Sequence, residues 1–256
     1  MALKLVIGNK NYSSWSMRPW LALRANNIAF DEVFIPLYTG EADKKRILSF
    51  THSGKVPALI DGDVTVWDSL AIIEYVAERF AQAGLWPEDP ARRAHARSIS
   101  AEMHSGFAAL RNECGMNLHR PVRAIALSAD ARADIERIQQ IWIECRERYG
   151  KIGPFLFGDF GAADAMFAPV VHRLRTYAIE VAPDAQAYMD TNDVVTGLSG
   201  VDARGSCRDP RDREARGGVG PNCQGFGATT SLPPWIRAGR RIRPGRPEPA
   251  KSRLSH

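Results

Sequence analysis

The sequence predicts an α/β domain, then an all-α domain, and finally a tail without stable structure. Residues 1–82 alternate between short strand patterns and helix patterns, in the order βαβ and then ββα. Residues 90–191 carry long helix patterns with no strand pattern between them. In residues 192–256 the apolar periodicity is lost. These changes of pattern divide the chain into two domains and a tail.

The first domain is defined by alternating apolar residues and by one turn signal. Asp61 and Gly62 join two short β patterns, which is a strong hairpin signal. In the last helix of this domain, apolar residues recur at helical spacing and form one face (Leu70, Ile73, Val76, Ala77 and Phe80). The predicted elements are strands at 3–7 and 31–36, a short helix within 38–50, two strands within 55–69, and helices at 14–26 and 69–80.

The second domain follows a segment rich in proline and glycine, "AQAGLWPEDP", which is typical of a linker. Helical periodicity then predicts one long helix over 91–113, another over 130–149 and a third over 161–177. Breaks rich in glycine separate these helices. This half of the chain is therefore predicted to be an all-α domain.

Charge and composition exclude several function classes. The formal net charge of +5 arises in the tail, because the last 60 residues carry more than the whole surplus. A nucleic-acid-binding tail is the weakest hypothesis, since these residues include only Phe226 and Trp235 for base stacking.

No apolar run approaches 18 residues, and the N-terminus lacks the apolar core of a signal peptide. Cysteines and histidines lack metal-ligand spacing. We expect a cytoplasmic protein with no metal, nucleic-acid or membrane partner.

The tail is rich in Arg, Gly and Pro, a composition that does not bury enough apolar surface to offset the entropy cost of ordering. Two interpretations remain open. The tail is either a disordered basic segment or an out-of-frame translation of a GC-rich gene. In either case the second domain is expected to be incomplete, which would lower its stability.

Four motifs in order resemble cytosolic glutathione S-transferases over about residues 3–191. "SSWSMR" at the start of the first helix is similar to the S-S-x-S-x-R of zeta-like and other serine-type transferases. "KVPAL" resembles their Val-Pro segment, and "WDSLAIIEYV" resembles their acidic-Ser segment. "GDFGAADAMFAPVV" resembles a helix start in their second domain. The resemblance implies a thioredoxin-like first domain, glutathione as co-substrate and a homodimer.

Serine chemistry at the first helix fits this resemblance. A thiol with a pKa near 8.5 is mostly protonated at neutral pH, and a hydrogen bond to its charged form favours ionisation. A hydroxyl beside the positive end of a helix dipole is such a donor. Ser13 aligns with the catalytic serine of the family, with Ser14 as second choice. Ser16 completes a C-x-x-C-like spacing with Ser13. The alternative is that all three serines only cap the helix.

The two downstream motifs imply glutathione contacts. In the family, a cis proline leaves the preceding backbone free to pair with the cysteinyl part, which here assigns Val56 and Pro57. Lys55 is a candidate for the glycyl carboxylate, or is simply solvated. Asp68 is assigned to the α-amino group of glutathione, and Ser69 with the free N–H groups of the helix to its α-carboxylate. An edge-strand proline and a simple Asp68 cap are the alternatives.

In the second-domain motif, Asp164 lies three residues after Gly161, where the family usually has Ser or Thr in a capping box. Because glycine has no side chain, half of the reciprocal bonding is lost. We therefore predict a structural rather than catalytic role for Asp164.

The leading functional hypothesis is a glutathione transferase that attacks a small, largely apolar electrophile between Trp15 and the second domain. A zeta-like, glutathione-dependent cis–trans isomerase is one alternative. A non-enzymatic adaptor of the same fold is the other, although such proteins commonly lose the glutathione residues that this chain retains.

Overall fold

The computed structural model describes residues 2–38 and 40–198. The disorder or frameshift predicted for the tail beyond residue 198 lies outside the described residues, as do Cys207 and Cys223. The elements in chain order are β1 Leu3–Ile7, α1 Ser14–Ala25, β2 Phe30–Phe34, α2 Glu41–Leu48, β3 Ala58–Asp61, β4 Val64–Trp67, α3 Ser69–Arg79, a 3₁₀ turn Ala81–Ala83, α4 Pro90–Ser105, α5 Ala108–Glu113, α6 Ala129–Tyr149, α7 Ala162–Thr176 and α8 Pro183–Leu198.

The first domain contains one four-stranded sheet of order β2-β1-β3-β4. Strands β1 and β2 are parallel, with Leu5 opposite Glu32, whereas β3 is antiparallel to both β1 and β4. The predicted βαβ and ββα order is therefore confirmed, and it is the thioredoxin-like arrangement that the resemblance implies. The hairpin turn at Gly62 has φ +61°, a backbone conformation that favours glycine.

Helix α1 lies between the sheet and the helical domain, packed against α3 and α7. It is consequently buried on nearly all sides, and Trp15 and Arg24 are its exposed residues. The two domains are also joined by main-chain hydrogen bonds, from Leu118 N–H to the Asn11 carbonyl (2.9 Å) and from Ala162 N–H to the Leu85 carbonyl (2.8 Å). The start of α1 therefore has a fixed position relative to α7.

Apolar side chains form three clusters. One fills the space between the sheet, α1, α3 and the first turns of α7, and includes Leu21 and Ile72. A second is the core of the helical domain around Trp142 and Phe167. A small third cluster, which includes Ile35, lies on the other face of the sheet beneath α2. Because the first cluster spans both domains, burial of apolar surface fixes them against each other.

Three sequence predictions about the elements are wrong in detail. The helix expected over 91–113 is two helices, because Gly106 is extended and Phe107 has φ +60°. The ring of Phe107 is buried in the second core, which compensates for this unusual backbone. Helix α8 continues to Leu198, past the predicted domain end at 191. On α3, Ile72 is fully buried whereas Leu70 is only half-buried.

Asp164 is structural, as predicted. Its carboxylate is fully buried and accepts hydrogen bonds from Gly161 N–H (2.9 Å), Leu156 N–H (3.1 Å) and the Tyr188 hydroxyl (3.1 Å). Burial raises the pKa of Asp164 to about 6, although these hydrogen bonds oppose the shift. A Cβ at Gly161 would lie 2.8 Å from the Leu85 carbonyl oxygen, so the side chain of serine or threonine does not fit there without a shift.

Candidate functional site

The three serines at the start of α1 do not act as simple caps. Ser13 is the N-cap residue of α1, but its side chain makes no capping hydrogen bond among the described residues. Instead the Ser13 hydroxyl donates to Ser16 Oγ at 2.9 Å, and Gly8 N–H donates to the same oxygen at 3.1 Å. Both serines are buried, with 8% and 2% of their surface exposed. The side chain of Ser13 is therefore held by another serine rather than by the helix backbone.

Ser14 faces a different neighbour. Its Oγ accepts a hydrogen bond from Arg173 Nη2 at 3.3 Å, across the interface between α1 and α7. The guanidinium of Arg173 also donates to the main-chain carbonyls of Arg111 and Cys114. Ser14 therefore joins the two domains, whereas Ser13 remains with the residues that follow β1. This difference favours Ser13 over Ser14 as the residue available to a ligand of the first domain.

The Val-Pro segment lies directly before β3. The Val56–Pro57 peptide bond is cis, as the resemblance implies. Strand β3 begins at Ala58, so the main chain of Val56 lies beyond the end of the ladder that pairs β3 with β1 and β4. Lys55 is exposed, and its N–H donates to Ser53 Oγ at 3.2 Å. The main chain of Val56 and the side chain of Lys55 thus lie next to each other at the end of the sheet where β3 begins.

Asp68 begins α3 and has two sets of partners. One carboxylate oxygen caps the helix by accepting from Leu70 N–H (2.9 Å) and Ala71 N–H (3.3 Å). The other oxygen lies 3.3 Å from Nε2 of His104, on α4 of the second domain. The predicted cap is therefore present, but it uses one oxygen. Asp68 has φ +77°, a conformation that costs free energy for any residue except glycine and is common at functional sites.

Ser69 is the first residue of α3, and its Oγ is buried. Only 1% of Ser69 is exposed, and its hydroxyl has no hydrogen-bond partner among the residues that the structure describes. A buried hydroxyl without a partner costs about 1–3 kcal/mol. The N–H groups of Leu70 and Ala71 are already taken by Asp68, so the predicted free N–H groups are not present there. The Ser69 hydroxyl, at the positive end of the helix dipole, still suits an anionic ligand. Ser69 and Asp68 together fit a ligand that carries both an ammonium group and a carboxylate.

Sequence reasoning missed a cluster of three arginines, Arg18, Arg111 and Arg173, which we call the arginine cluster. The guanidinium carbons of Arg18 and Arg111 lie 4.4 Å and 5.1 Å from the ring centre of Trp15. The His104 ring contacts the same indole edge-on, at 5.3 Å between ring centres. Trp15 is 38% exposed. The indole therefore forms one wall of a cationic region beside the serines.

The arginine cluster is poorly compensated. Arg18 is 2% exposed, and its Nε and Nη1 have no partner within the described part of the chain. Burial, together with the positive charges of Arg111 and Arg173, lowers the pKa of Arg18 to about 9, and Asp68 only partly opposes this. Burial and Arg111 lower the pKa of Arg173 to about 10. An anion bound here would relieve unfavourable electrostatics.

Cys114 and Cys145 are free and buried. Burial raises the pKa of Cys145 to about 12 and also raises that of Cys114, so neither is a reactive thiolate. Among residues 2–38 and 40–198, no group of His, Cys, Asp or Glu side chains is arranged to hold a metal ion. No helix in these ranges is long and apolar enough to cross a membrane.

Comparison with known sequences places these residues in context. Residues 12–79 match the family model described as the glutathione S-transferase N-terminal domain. The chain is 30% identical over 173 residues to a probable maleylacetoacetate isomerase of Caenorhabditis elegans, covering 67% of this chain and 79% of the relative. It is 29% identical over 207 residues to the maleylacetoacetate isomerase of Rattus norvegicus, covering 77% and 90% of the two chains.

Solved structures share the fold. A glutathione transferase homologue from Burkholderia, solved with bound glutathione, has a TM-score of 0.56 at 22% identity, with 75% of this chain and 91% of that chain covered. Yeast Ure2p in complex with glutathione has a TM-score of 0.58 at 18% identity, with 74% and 89% covered. At these identities the similarity shows the two-domain fold, thioredoxin-like followed by all-α.

Proposed function

Since the chain belongs to the glutathione S-transferase family, we propose that it binds glutathione in its first domain and stabilises the thiolate through Ser13. The observation that carries this proposal is the state of the Ser13 hydroxyl. It is buried at the N-terminus of α1, and it bonds to Ser16 rather than to the backbone it would cap. A hydroxyl held in this way can turn toward a ligand without weakening the helix start.

The rest of the site supports a glutathione ligand. We assign the α-carboxylate of glutathione to the Ser69 hydroxyl at the N-terminus of α3, because that hydroxyl is buried without a partner among the described residues. The α-amino group would bind the Asp68 oxygen that does not cap α3, which lies 3.3 Å from His104 Nε2. The cysteinyl main chain would pair with Val56, whose backbone lies beyond the β3 ladder. Lys55 would approach the glycyl carboxylate from its exposed position.

The chemistry then follows from thiolate stabilisation. The Ser13 hydroxyl donates a hydrogen bond to the thiolate, so the pKa of the bound thiol falls and its proton is released to water. In a transferase, the thiolate electron pair forms a carbon–sulfur bond while a leaving group departs with its own pair. In an isomerase, the thiolate adds to a carbon–carbon double bond, rotation follows, and the thiolate leaves again.

The arginine cluster favours an acidic second substrate over the largely apolar one that the sequence predicts. Two guanidinium groups, those of Arg18 and Arg111, lie against Trp15, and two buried nitrogens of Arg18 have no partner among the described residues. A carboxylate would pair with them, whereas an apolar group would leave the charges uncompensated. This is the specific observation that favours the isomerase as a second candidate function, because the relatives named maleylacetoacetate isomerase act on an acid anion.

A matched pair of electrophiles tests the preference for an acid. A chloronitrobenzoate and its uncharged benzamide counterpart differ in charge but share the same reactive carbon. We expect glutathione conjugation to the benzoate to be faster in kcat/KM, and the preference to be lost in Arg18→Met. Equal rates for both compounds would contradict the acidic-substrate proposal while leaving the thiolate proposal intact.

The adaptor hypothesis is less well supported, because the chain retains Ser13, Val56-Pro57 and Asp68-Ser69, the residues that the resemblance assigns to glutathione. We also propose that the protein is a cytoplasmic homodimer, as the resemblance implies. Sedimentation equilibrium of the full chain should give twice the monomer mass of 28.3 kDa. A monomer at micromolar concentration would contradict the dimer.

The decisive experiment is a titration of the bound thiol in wild type, Ser13→Ala and Ser14→Ala. Wild type should bind glutathione and show thiolate absorbance at a pH well below that of free glutathione. Ser13→Ala should retain binding but lose about 10- to 100-fold in thiolate fraction, the value of a hydrogen bond to a charged group. Ser14→Ala is the matched control and should keep the thiolate. If wild type does not bind glutathione, or if Ser13→Ala keeps the low thiol pKa, the proposal is wrong.

A further inference from the structure

We propose that Ser16 is a positioning residue that controls the direction of the Ser13 hydroxyl. In the unliganded site Ser16 Oγ accepts the Ser13 proton. When a thiolate is bound, Ser13 turns its proton to the sulfur, and Ser16 turns its own proton to Ser13 Oγ. The inference rests on the proposed function of Ser13 and adds a second hydroxyl to the site, one that does not itself touch the ligand.

The geometry of the first turn of α1 carries this proposal. Ser13 and Ser16 are three residues apart, so their side chains share one side of the helix start. Their oxygens are 2.9 Å apart, and the structure gives Ser13 as the donor. Both residues are buried, so water does not compete strongly for either hydroxyl. In the absence of ligand, the proton needed by a thiolate therefore points at Ser16.

The N–H of Gly8 fixes the acceptor. It donates to Ser16 Oγ at 3.1 Å, from the loop that directly follows β1. Gly8 is packed against Leu37, since a Cβ at Gly8 would lie 2.5 Å from Leu37 Cδ1. No larger residue fits there without a shift. Ser16 Oγ is thus anchored to the sheet, and its position does not depend on the ligand.

The donor and acceptor positions of the two serines determine how their hydrogen bonds rearrange when a thiolate binds. A serine hydroxyl has one donor and two acceptor positions, and the two acceptor positions of Ser16 are occupied by Gly8 N–H and the Ser13 hydroxyl. A bound thiolate attracts the Ser13 proton, so one acceptor position of Ser16 loses its donor. Ser16 then donates into the Ser13 oxygen, which forms the chain Ser16 O–H, Ser13 O–H, sulfur. Such chains strengthen each bond by about 10–30%.

Ser14 provides the internal control. Its oxygen accepts from Arg173 Nη2 at 3.3 Å and belongs to the domain interface. Removing that hydroxyl changes the charge environment of α1 but does not touch the pair formed by Ser13 and Ser16. A general effect of deleting any serine from the helix start would therefore appear in Ser14→Ala as well.

The test is a double-mutant cycle in the full chain. Thiolate absorbance measures the pKa of the bound glutathione thiol in each variant. We expect Ser16→Ala to lower the thiolate fraction at neutral pH by about two- to fivefold, less than Ser13→Ala does. In the Ser13→Ala background, Ser16→Ala should have no further effect, because it acts through Ser13. Ser16→Thr, which keeps the hydroxyl, should restore the wild-type value.

S-methylglutathione separates positioning from structure, because it lacks an ionisable thiol. Its Kd should change by less than about twofold in Ser16→Ala if Ser16 only orients Ser13. Equal effects of Ser16→Ala in both backgrounds, an unchanged thiol pKa, or an equal loss of S-methylglutathione affinity would each overturn the proposal. If Ser16→Ala does not fold, Ser16→Cys and Ser16→Thr give the same comparison of a weak and a strong donor. Failure of wild type to bind glutathione would instead refute the proposed function itself.

Discussion

Replacing Arg18 with methionine should make the unliganded protein more stable, although it removes a charged side chain from the site. Methionine keeps the length and apolar stem of arginine but not its charge. Arg18 is almost completely buried, and two of its nitrogens have no partner among the described residues. Exchange of a buried, incompletely paired charge for an apolar residue of similar volume is often stabilising.

The magnitude follows from the lowered pKa. Burial and the neighbouring arginines reduce the pKa of Arg18 from 12.5 to about 9. At 1.36 kcal/mol per pKa unit, this corresponds to a cost of about 5 kcal/mol for keeping Arg18 charged in the folded state. The sign is unambiguous at neutral pH, because the folded pKa of a base is lowered and the full cost is present at every pH below 9.

Favourable contacts of Arg18 reduce the expected gain. Its guanidinium lies 4.4 Å from the ring centre of Trp15, and such a desolvated contact is worth about 1–2 kcal/mol. Attraction to Asp68 is already contained in the lowered pKa and is not subtracted again. We therefore expect the free energy of unfolding of Arg18→Met to exceed that of wild type by about 3–4 kcal/mol.

Urea denaturation at neutral pH, followed by circular dichroism and tryptophan fluorescence, measures this difference. Arg24→Met is the matched control, because Arg24 lies on the same helix but is exposed and rests on Phe30 at 4.7 Å. Its stability should change by less than about 1 kcal/mol. A loss of more than about 1 kcal/mol in Arg18→Met, relative to wild type, would refute the reasoning, because the arginine cluster would then be a net stabilising network.

Two further predictions concern titratable groups of α7. Asp164→Ala leaves two main-chain N–H groups and the Tyr188 hydroxyl without their acceptor. Urea denaturation should therefore show a free energy of unfolding lower by about 3–5 kcal/mol. The matched control Asp159→Ala, at an exposed position, should lower it by less than about 0.5 kcal/mol. Burial lowers the pKa of His172 to about 4, so wild type should lose stability as pH falls from about 6.5 to 4, by about 3 kcal/mol from this group. The raised pKa of Asp164 acts oppositely, removing stability as pH rises from about 4 to 6. In His172→Leu, unfolding curves across this range should therefore show stability falling with rising pH, and an unchanged slope would contradict the assignment.

Much of the fold could be predicted because its signals are local. The Asp61-Gly62 turn and the alternating strand patterns specify the ββα unit within a few residues of one another. The break between α4 and α5 has one local signal, the C-cap residue Gly106, but the helix periodicity continues through it. Nothing in the helix pattern marks Phe107, whose φ of +60° is maintained by packing of its ring against distant parts of the helical domain.

The candidate site also combines residues that local sequence signals locate with contacts that only packing determines. Asp68 and Ser69 could be located from the sequence, because an Asp-Ser pair before an apolar helix pattern is a local capping signal. The sequence did not predict which oxygen of Asp68 would be left for another partner. That depends on His104, which is brought to Asp68 by the packing of α4 against α3.

The sequence by itself determined that the serines stand at a helix N-terminus after a strand, since chain-local signals set both elements. The three-residue spacing allows Ser13 to reach Ser16 within the first turn of α1. Only the tertiary structure brings the other partners, Gly8 N–H to Ser16 and Arg173 to Ser14, because α1 is packed between the sheet and α7. Arg18 lies one turn from Trp15 on α1, whereas packing of α5 and α7 brings Arg111 and Arg173 close enough to act on Arg18. Local propensities place residues along the chain, whereas burial of apolar surface between domains brings distant charges together.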